Sequence, residues 1–432
     1  MNWQDFPPGF EDALSFPLIE ALFGRRSRRF SLGASIPDGP LAYTSRREPL
    51  PLSDLEQLLV LTATAGNTGW HYLITRHDRY APYLANYSAA AGGRTFPSAA
   101  GWHTSEIFFT DDHGVYFFAT RDAPALVEPE ADKPLALKAV LAAHRARIRK
   151  LNDGRLYLPA KEPYMDGHNT WCANAPGSTL IIPVADLAQH LIAVLCYLVQ
   201  NGACIYDNVH GERIAGLERF RRLVDVDNPA PLTEIEQGVL TMGTAELATS
   251  CYAGMLVLQA MGLGGWLFTG LDAYAVLGAS GDPHVPGLGF RYDTDERWAT
   301  PNPTGRPGVF EGYCPPHYPD LGAAVEAFSE RKFGPGGPFH PDTPGPWQEN
   351  ARMRGSAQVH SEEFKECVAL MAQHIYDRFG KFPGTAPSTF IETYLQAHHL
   401  DLEFYDHYFK AGAYLQTHAR HLARWHAGEG AE

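Results

Sequence analysis

The stretch Ala253-Gly254-Met255-Leu256-Val257-Leu258-Gln259-Ala260-Met261-Gly262-Leu263-Gly264-Gly265 is an apolar helix that runs into a glycine turn, with Gln259 as its one polar interruption. A helix that is apolar on all sides belongs in the interior. A glycine turn at its end lets another backbone or a flat ligand come close. Far upstream, Gly24-Arg25-Arg26-Ser27-Arg28-Arg29-Phe30 puts several guanidinium groups and a hydroxyl into one turn, which suits a phosphate. Together the two segments predict a bound phosphorylated aromatic cofactor.

Working outward, Phe10, Leu14, Leu18, Ala21 and Leu22 recur at helical spacing and predict an amphipathic helix over residues 10–24, kinked at Pro17. Ser53-Asp54-Leu55-Glu56 matches a capping box and opens a helix that runs to about Ala65. Trp70–Ile74 reads as a strand, and Glu106–Thr110 with Gly114–Phe118 as a hairpin. A basic-faced helix is expected over 132–151, a buried strand at Thr179–Val184 and an apolar helix at Asp186–Val199. Thr233–Met261 reads as one long helix or a bent pair, followed by a strand at Trp266–Thr269. Residues 280–357 are crowded with Pro and Gly and predict extended loops around one helix near 320–333. From Ser361 to about His426 the pattern reads as helical, with a turn at Gly380–Pro387. Strands and helices alternate without regular βαβ units, so the fold class is α+β.

The totals narrow the function classes. A net charge of −14 opposes nucleic-acid binding, which needs clustered positive charge. Six cysteines without a Cys-x-x-Cys pair read as buried thiols in a reducing compartment, and Met1–Asp5 lacks a signal-peptide start, so a cytoplasmic protein is expected. The sequon Asn86-Tyr87-Ser88 then reads as a chance match. The apolar runs Leu191–Val199 and Ala253–Leu271 are respectively too short and too glycine-broken to span a membrane.

The arginine turn and the helix ending in Gly-Leu-Gly resemble the nitroreductase-like FMN-dependent superfamily, in which an Arg-Arg-Ser element opens the chain. Arg94-Thr95-Phe96-Pro97-Ser98-Ala99-Ala100-Gly101-Trp102-His103-Thr104-Ser105-Glu106 and the later Gly114-Val115-Tyr116-Phe117 are similar to a subgroup that oxidises azoline rings in ribosomal peptides. The resemblance implies a central, mainly antiparallel sheet flanked by helices, with large insertions and a helical C-terminal extension. It implies a flavin domain over 1–290, with an insertion at about 120–235, followed by wrapping loops and helices over 291–432. It implies FMN held by Arg25, Arg26, Ser27 and Arg29 at the phosphate, with Asn67 and Trp70 nearby. Pro97, Ser98, Ala99, Ala100 and Gly101 would face the ring, and Gly262, Leu263, Gly264 and Gly265 would close the pocket. It further implies a homodimer with the flavin between subunits, hydride transfer from NAD(P)H or from the substrate itself, and a small-molecule or peptide substrate. No catalytic residue follows from it, because hydride passes between stacked partners.

Two other classes compete. Large insertions and Pro/Gly-rich loops suit a binding or scaffolding protein that kept the fold without the cofactor. The histidines His398, His399, His407, His418, His421 and His426, with Glu392, Asp401, Glu403 and Asp406, raise a helical metal oxidase over 361–426. No His-Glu-x-x-His or paired Glu-x-x-His element is present, so scattered, exposed histidines and no metal are the expectation. Gly-x-Ser-x-Gly, Walker and Rossmann patterns are also missing from the sequence, which removes support for a hydrolase or kinase.

Overall fold

Pro17 divides the N-terminal helical segment in two. In a computed structural model that describes residues 6–70, 92–123 and 136–426, α1 spans Pro8–Ser15 and α2 spans Leu18–Gly24. Phe16, forced out of the helical region by the proline after it, takes extended backbone. The expected inward stripe is corrected. Phe10 and Ala21 are buried, but Leu14, Leu18 and Leu22 are exposed together with Ile19 and Phe23.

Helix α3 (Asp54–Ala65) begins on the predicted capping box: the Ser53 N–H donates to Glu56 Oε2 at 2.7 Å, and the Glu56 N–H donates to Ser53 Oγ at 3.4 Å. Strand β1 (Asn67–Trp70) pairs antiparallel with β2 (Gly92–Arg94). The rest of the strand expected at Trp70–Ile74, and the sequon at Asn86, lie outside the described residues. The hairpin forms as β3 (Ser105–Asp111) and β4 (Gly114–Phe118). The helix expected over 132–151 is shorter: α4 (Leu137–Arg145) stops and Ile148–Asp153 becomes strand β5. Pairing with β4 satisfies backbone groups that a continued helix would leave open on that strand, and this outweighs the weak helical preference of Arg149-Lys150-Leu151.

Downstream lie β6 (Thr179–Asp186) and α5 (Leu187–Gln200), with Asp186 Oδ1 capping the Gln189 N–H at 2.9 Å. They are followed by the unbroken α6 (Leu232–Met261), β7 (Gly264–Phe268), α7 (Leu321–Phe333) and α8 (Glu362–Phe379). The chain continues through β8 (Thr389–Phe390), β9 (Tyr394–His398), α9 (Leu402–Tyr408) and α10 (Gln416–Trp425). A seven-stranded sheet runs β7–β9–β6–β3–β4–β5, with β8 also on β6, and every pairing in it is antiparallel. Its two faces are both covered. Ile107, Phe109, Ile181, Leu395 and Ala397 pack with α3 and α6, while Phe108, Leu180, Ile182 and Trp266 pack on the opposite side.

The α+β class holds, with two corrections. The segment read as a helical extension supplies β9 to the interior of the sheet. Leu395 and Ala397 fill the α6 side, while Gln396 spends its amide on the Cys172 carbonyl at 2.8 Å and the Asn174 N–H at 2.7 Å. Asn302–Arg306, read as loop, is a largely buried strand between Arg291–Asp293 and Phe310–Glu311. All six cysteines are buried and unpaired, and no described helix is long and apolar enough to cross a membrane.

Helix α6 lies close against α3. A Cβ on Gly254 would meet Thr64 Oγ1 at 2.2 Å and Leu395 Cδ2 at 2.6 Å, and Ser250 Oγ donates to the Thr64 carbonyl at 2.7 Å. Gly254→Ala is therefore expected to cost about 1–3 kcal/mol in urea unfolding. Gly238→Ala on the same helix, where a Cβ meets nothing within 4 Å, should gain up to about 1 kcal/mol.

Candidate functional site

The arginine turn and the glycine turn, remote in sequence, are bonded to each other. The Arg28 N–H donates to the Gly265 carbonyl at 3.2 Å, and the Gly265 N–H donates to the Arg28 carbonyl at 3.0 Å. The Arg28 guanidinium is buried and reaches three acceptors: the Ala413 carbonyl at 2.9 Å, Gln259 Oε1 at 2.8 Å and the Gly24 carbonyl at 3.1 Å. Burial lowers its pKa to about 10, which leaves it a cation at neutral pH. Arg28, which is not among the residues the resemblance assigns to the phosphate, is the arginine that rivets the two segments. The available hint was Gln259, a polar residue in an apolar helix that needs a buried partner.

The residues assigned to the phosphate surround this rivet. Arg25 is half-buried and Ser27 is exposed, and neither side chain makes a hydrogen bond or ion pair among the described residues. Arg26 is exposed and donates to the carbonyls of Phe23 at 2.9 Å and Arg25 at 2.7 Å. The Arg29 guanidinium carbon lies 5.6 Å from the centre of the Trp266 ring. Cationic groups and a hydroxyl on an accessible turn fit a phosphate.

The groups assigned to the ring are differently engaged. Asn67 is buried, donates from Nδ2 to the Thr120 carbonyl at 3.0 Å and accepts from Arg147 at Oδ1, while its N–H donates to His144 Nε2 at 2.8 Å. Trp70 lies in β1. The Pro97–Gly101 turn docks on the middle of α6. Ser98 Oγ donates to Glu246 Oε2 at 2.5 Å, and the Ser105 N–H and Oγ donate to Oε1 at 2.8 and 2.5 Å. Thr249 Oγ1 donates to the Pro97 carbonyl at 3.3 Å. Ala100 and Gly101 take left-handed backbone, φ 49° and 65°, with Ala100 at the exposed tip next to the half-buried Ala99. Glu246 is the organising residue here, and nothing in its local sequence marks it.

At Gly262–Gly265 the close approach is made by protein. A Cβ would meet the Thr417 carbonyl oxygen at 2.2 Å from Gly262, Leu400 Cδ2 at 2.1 Å from Gly264 and the Gln396 carbonyl oxygen at 2.1 Å from Gly265. Leu263 is fully buried in the core. The space that the sequence reading gives to a flat ring is filled by the segment 396–417. The phosphate end of an FMN site therefore fits these residues, whereas its ring does not fit against this glycine turn.

The histidines also depart from expectation. His398, His399, His418 and His421 are buried, not scattered on the surface. Burial pushes His398 to about 4, and His399 and His418 to about 3, so all three are neutral at pH 7.

No protein-family model and no curated protein matches the chain. Among the solved structures that are similar is a nitroreductase, so assigned by name only, from Ralstonia eutropha JMP134. It is 14% identical over 60% of this chain and 71% of that one, with a TM-score of 0.28.

These contacts separate structural from available groups. Glu246→Ala is expected to cost about 3 kcal/mol in urea unfolding, because hydrogen bonds to a buried carboxylate are each worth about 1.5–3 kcal/mol. Arg25→Ala should shift stability by less than about 0.5 kcal/mol.

Proposed function

We propose that the chain is an FMN-dependent oxidoreductase of the nitroreductase-like class, active as a homodimer. The observation that carries this reading is the pairing of Arg28 with Gly265 and Gln259, which fixes an arginine turn with the uncommitted side chains of Arg25 and Ser27. Arg25, Arg26, Ser27 and Arg29 would bind the phosphate. When bound, the flavin supplies hydride transfer, taking the hydride from NAD(P)H or from a small-molecule or peptide substrate.

Distance supports the dimer. The Ser98 turn contacts Glu246 and the arginine turn contacts Gln259, about 20 Å apart along α6 at 1.5 Å per residue. One flavin gripped by both would need the Pro97–Gly101 turn of a second chain. Leu18, Ile19 and Phe23 stand 63%, 63% and 79% exposed on the helix that leads into Arg25, and an apolar face of that kind favours burial against another copy.

A second reading has its own support. The glycine turn is filled by the chain's own residues and Asn67 is engaged by protein, which favours a binding or scaffolding protein that keeps the frame without the cofactor. Purified full-length protein loaded with FMN separates the two. The oxidoreductase reading expects a dimer that retains flavin, absorbing at about 450 nm. It also expects Arg25→Ala with Ser27→Ala to weaken FMN binding at least tenfold, at unchanged melting temperature. A colourless protein that takes up no FMN would leave the scaffold.

A further inference from the structure

Three segments far apart in sequence meet where the C-terminal helix crosses the start of α3. Glu56 comes from the first turn of α3, His399 from the end of β9, and His421 and His426 from α10 and its C-cap. One donor atom from each lies within 4.8 Å of every other. Glu56 is fully buried, and His399 and His421 are only 2% and 4% exposed.

The hydrogen bonds leave one lone pair facing inward. His421 Nδ1 lies 2.7 Å from the Met261 carbonyl, and since a carbonyl can only accept, Nδ1 carries the proton. In the neutral ring, Nε2 then holds a lone pair. It sits 2.8 Å from Glu56 Oε1, out of line for a hydrogen bond, and it has no partner. His399 differs: its Nε2 lies 3.3 Å from the Pro51 carbonyl and 3.9 Å from Glu56 Oε2, and its buried Nδ1 is unpartnered. His426 Nε2 approaches the same Oε1 at 3.1 Å. The buried Glu56 carboxyl therefore meets the unpartnered Nε2 of His421 together with Nε2 of His426 and His399, all within 4 Å, an arrangement that a cation between them would relieve.

We propose that Glu56, His399, His421 and His426 form a binding site for a divalent transition-metal ion of the zinc class. Three imidazole nitrogens and one carboxylate oxygen are a borderline donor set of the kind zinc takes, and four protein ligands make a closed, structural site. Bonds of about 2.0–2.2 Å in a tetrahedron would draw the donors in by less than about 1.5 Å. The partners that orient the ligands are present: the Met261 carbonyl on His421, the Pro51 carbonyl on His399 and the Ser53 N–H on Glu56. A cavity lined by Gly262, His399, Leu400, Asp401, His418 and His421 offers an entry path. The ion would pin α10, and with it the segment that fills the glycine turn, to the start of α3. The site is independent of the flavin reading, since it uses none of the residues assigned to FMN.

Untagged full-length protein, loaded with zinc and passed through gel filtration, tests the site by metal analysis and by calorimetric titration with zinc alone. We expect one equivalent of zinc per chain and a lowered melting temperature once it is chelated. Glu56→Gln, which can keep the capping-box acceptor, His421→Asn and His426→Asn should each weaken zinc binding at least about 100-fold, the upper range for loss of a mere outer-shell partner. The exposed His407→Asn should leave it unchanged. If His421→Asn fails to fold, His426→Asn, at the helix end with a side chain 11% exposed, still decides. Zinc well below one equivalent would overturn the proposal and leave an imidazolium–carboxylate pair. Affinity unchanged in the His426 variant would overturn it equally.

Discussion

Helix α6 carries buried polar side chains that must find partners, and their partners are distant loops. Glu236 accepts from the Gly384 N–H at 2.7 Å and the Thr385 N–H at 2.6 Å. Glu246 gathers Ser98 and Ser105, Ser250 reaches the Thr64 carbonyl, and Gln259 holds Arg28. A buried polar group left unpaired costs about 1–3 kcal/mol, so each contact is a constraint on where its loop can lie. The helix is thus a ruler along which the N-terminal arginines, the serine turn and the C-terminal segment are set at fixed heights.

That spacing governs what the molecule can bind. The arginine turn and the serine turn sit near different heights of one helix, and the C-terminal segment closes the glycine turn between α6 and β7. A flavin held by both turns therefore calls for a second chain. The exposed apolar side of α2 adjoins the arginine turn, so dimer contact and phosphate binding would be neighbours on the surface. A zinc-class ion at Glu56 would act at the same end of α6, by fastening the segment that fills the turn.

Much of the frame was legible where local rules decide. The capping box at Ser53, the β3–β4 hairpin, the β6–α5 junction at Asp186 and the course of α6 each follow from a handful of adjacent residues. β9 did not announce itself, because Tyr394-Leu395-Gln396-Ala397-His398 makes sense only between β7 and β6, with Cys172 and Asn174 waiting for Gln396. Arg28 could not be told from Arg25, Arg26 and Arg29, since depth is set by packing with Gln259 and Ala413. Glu56 read as a helix cap, which it is, while its second set of neighbours arrives from more than 300 residues away. The outward face of α2 was misjudged for a related reason: helical periodicity locates an apolar stripe but not what covers it.

If α6 holds its loops through such buried pairs, each pair must be coupled energetically. A double-mutant cycle on Arg28 and Gln259, with each changed to Met and read by urea unfolding, measures one directly. A coupling of about 1.5–3 kcal/mol is predicted for a buried hydrogen bond to a charged group. Losses that simply add, to within about 0.5 kcal/mol, would contradict it.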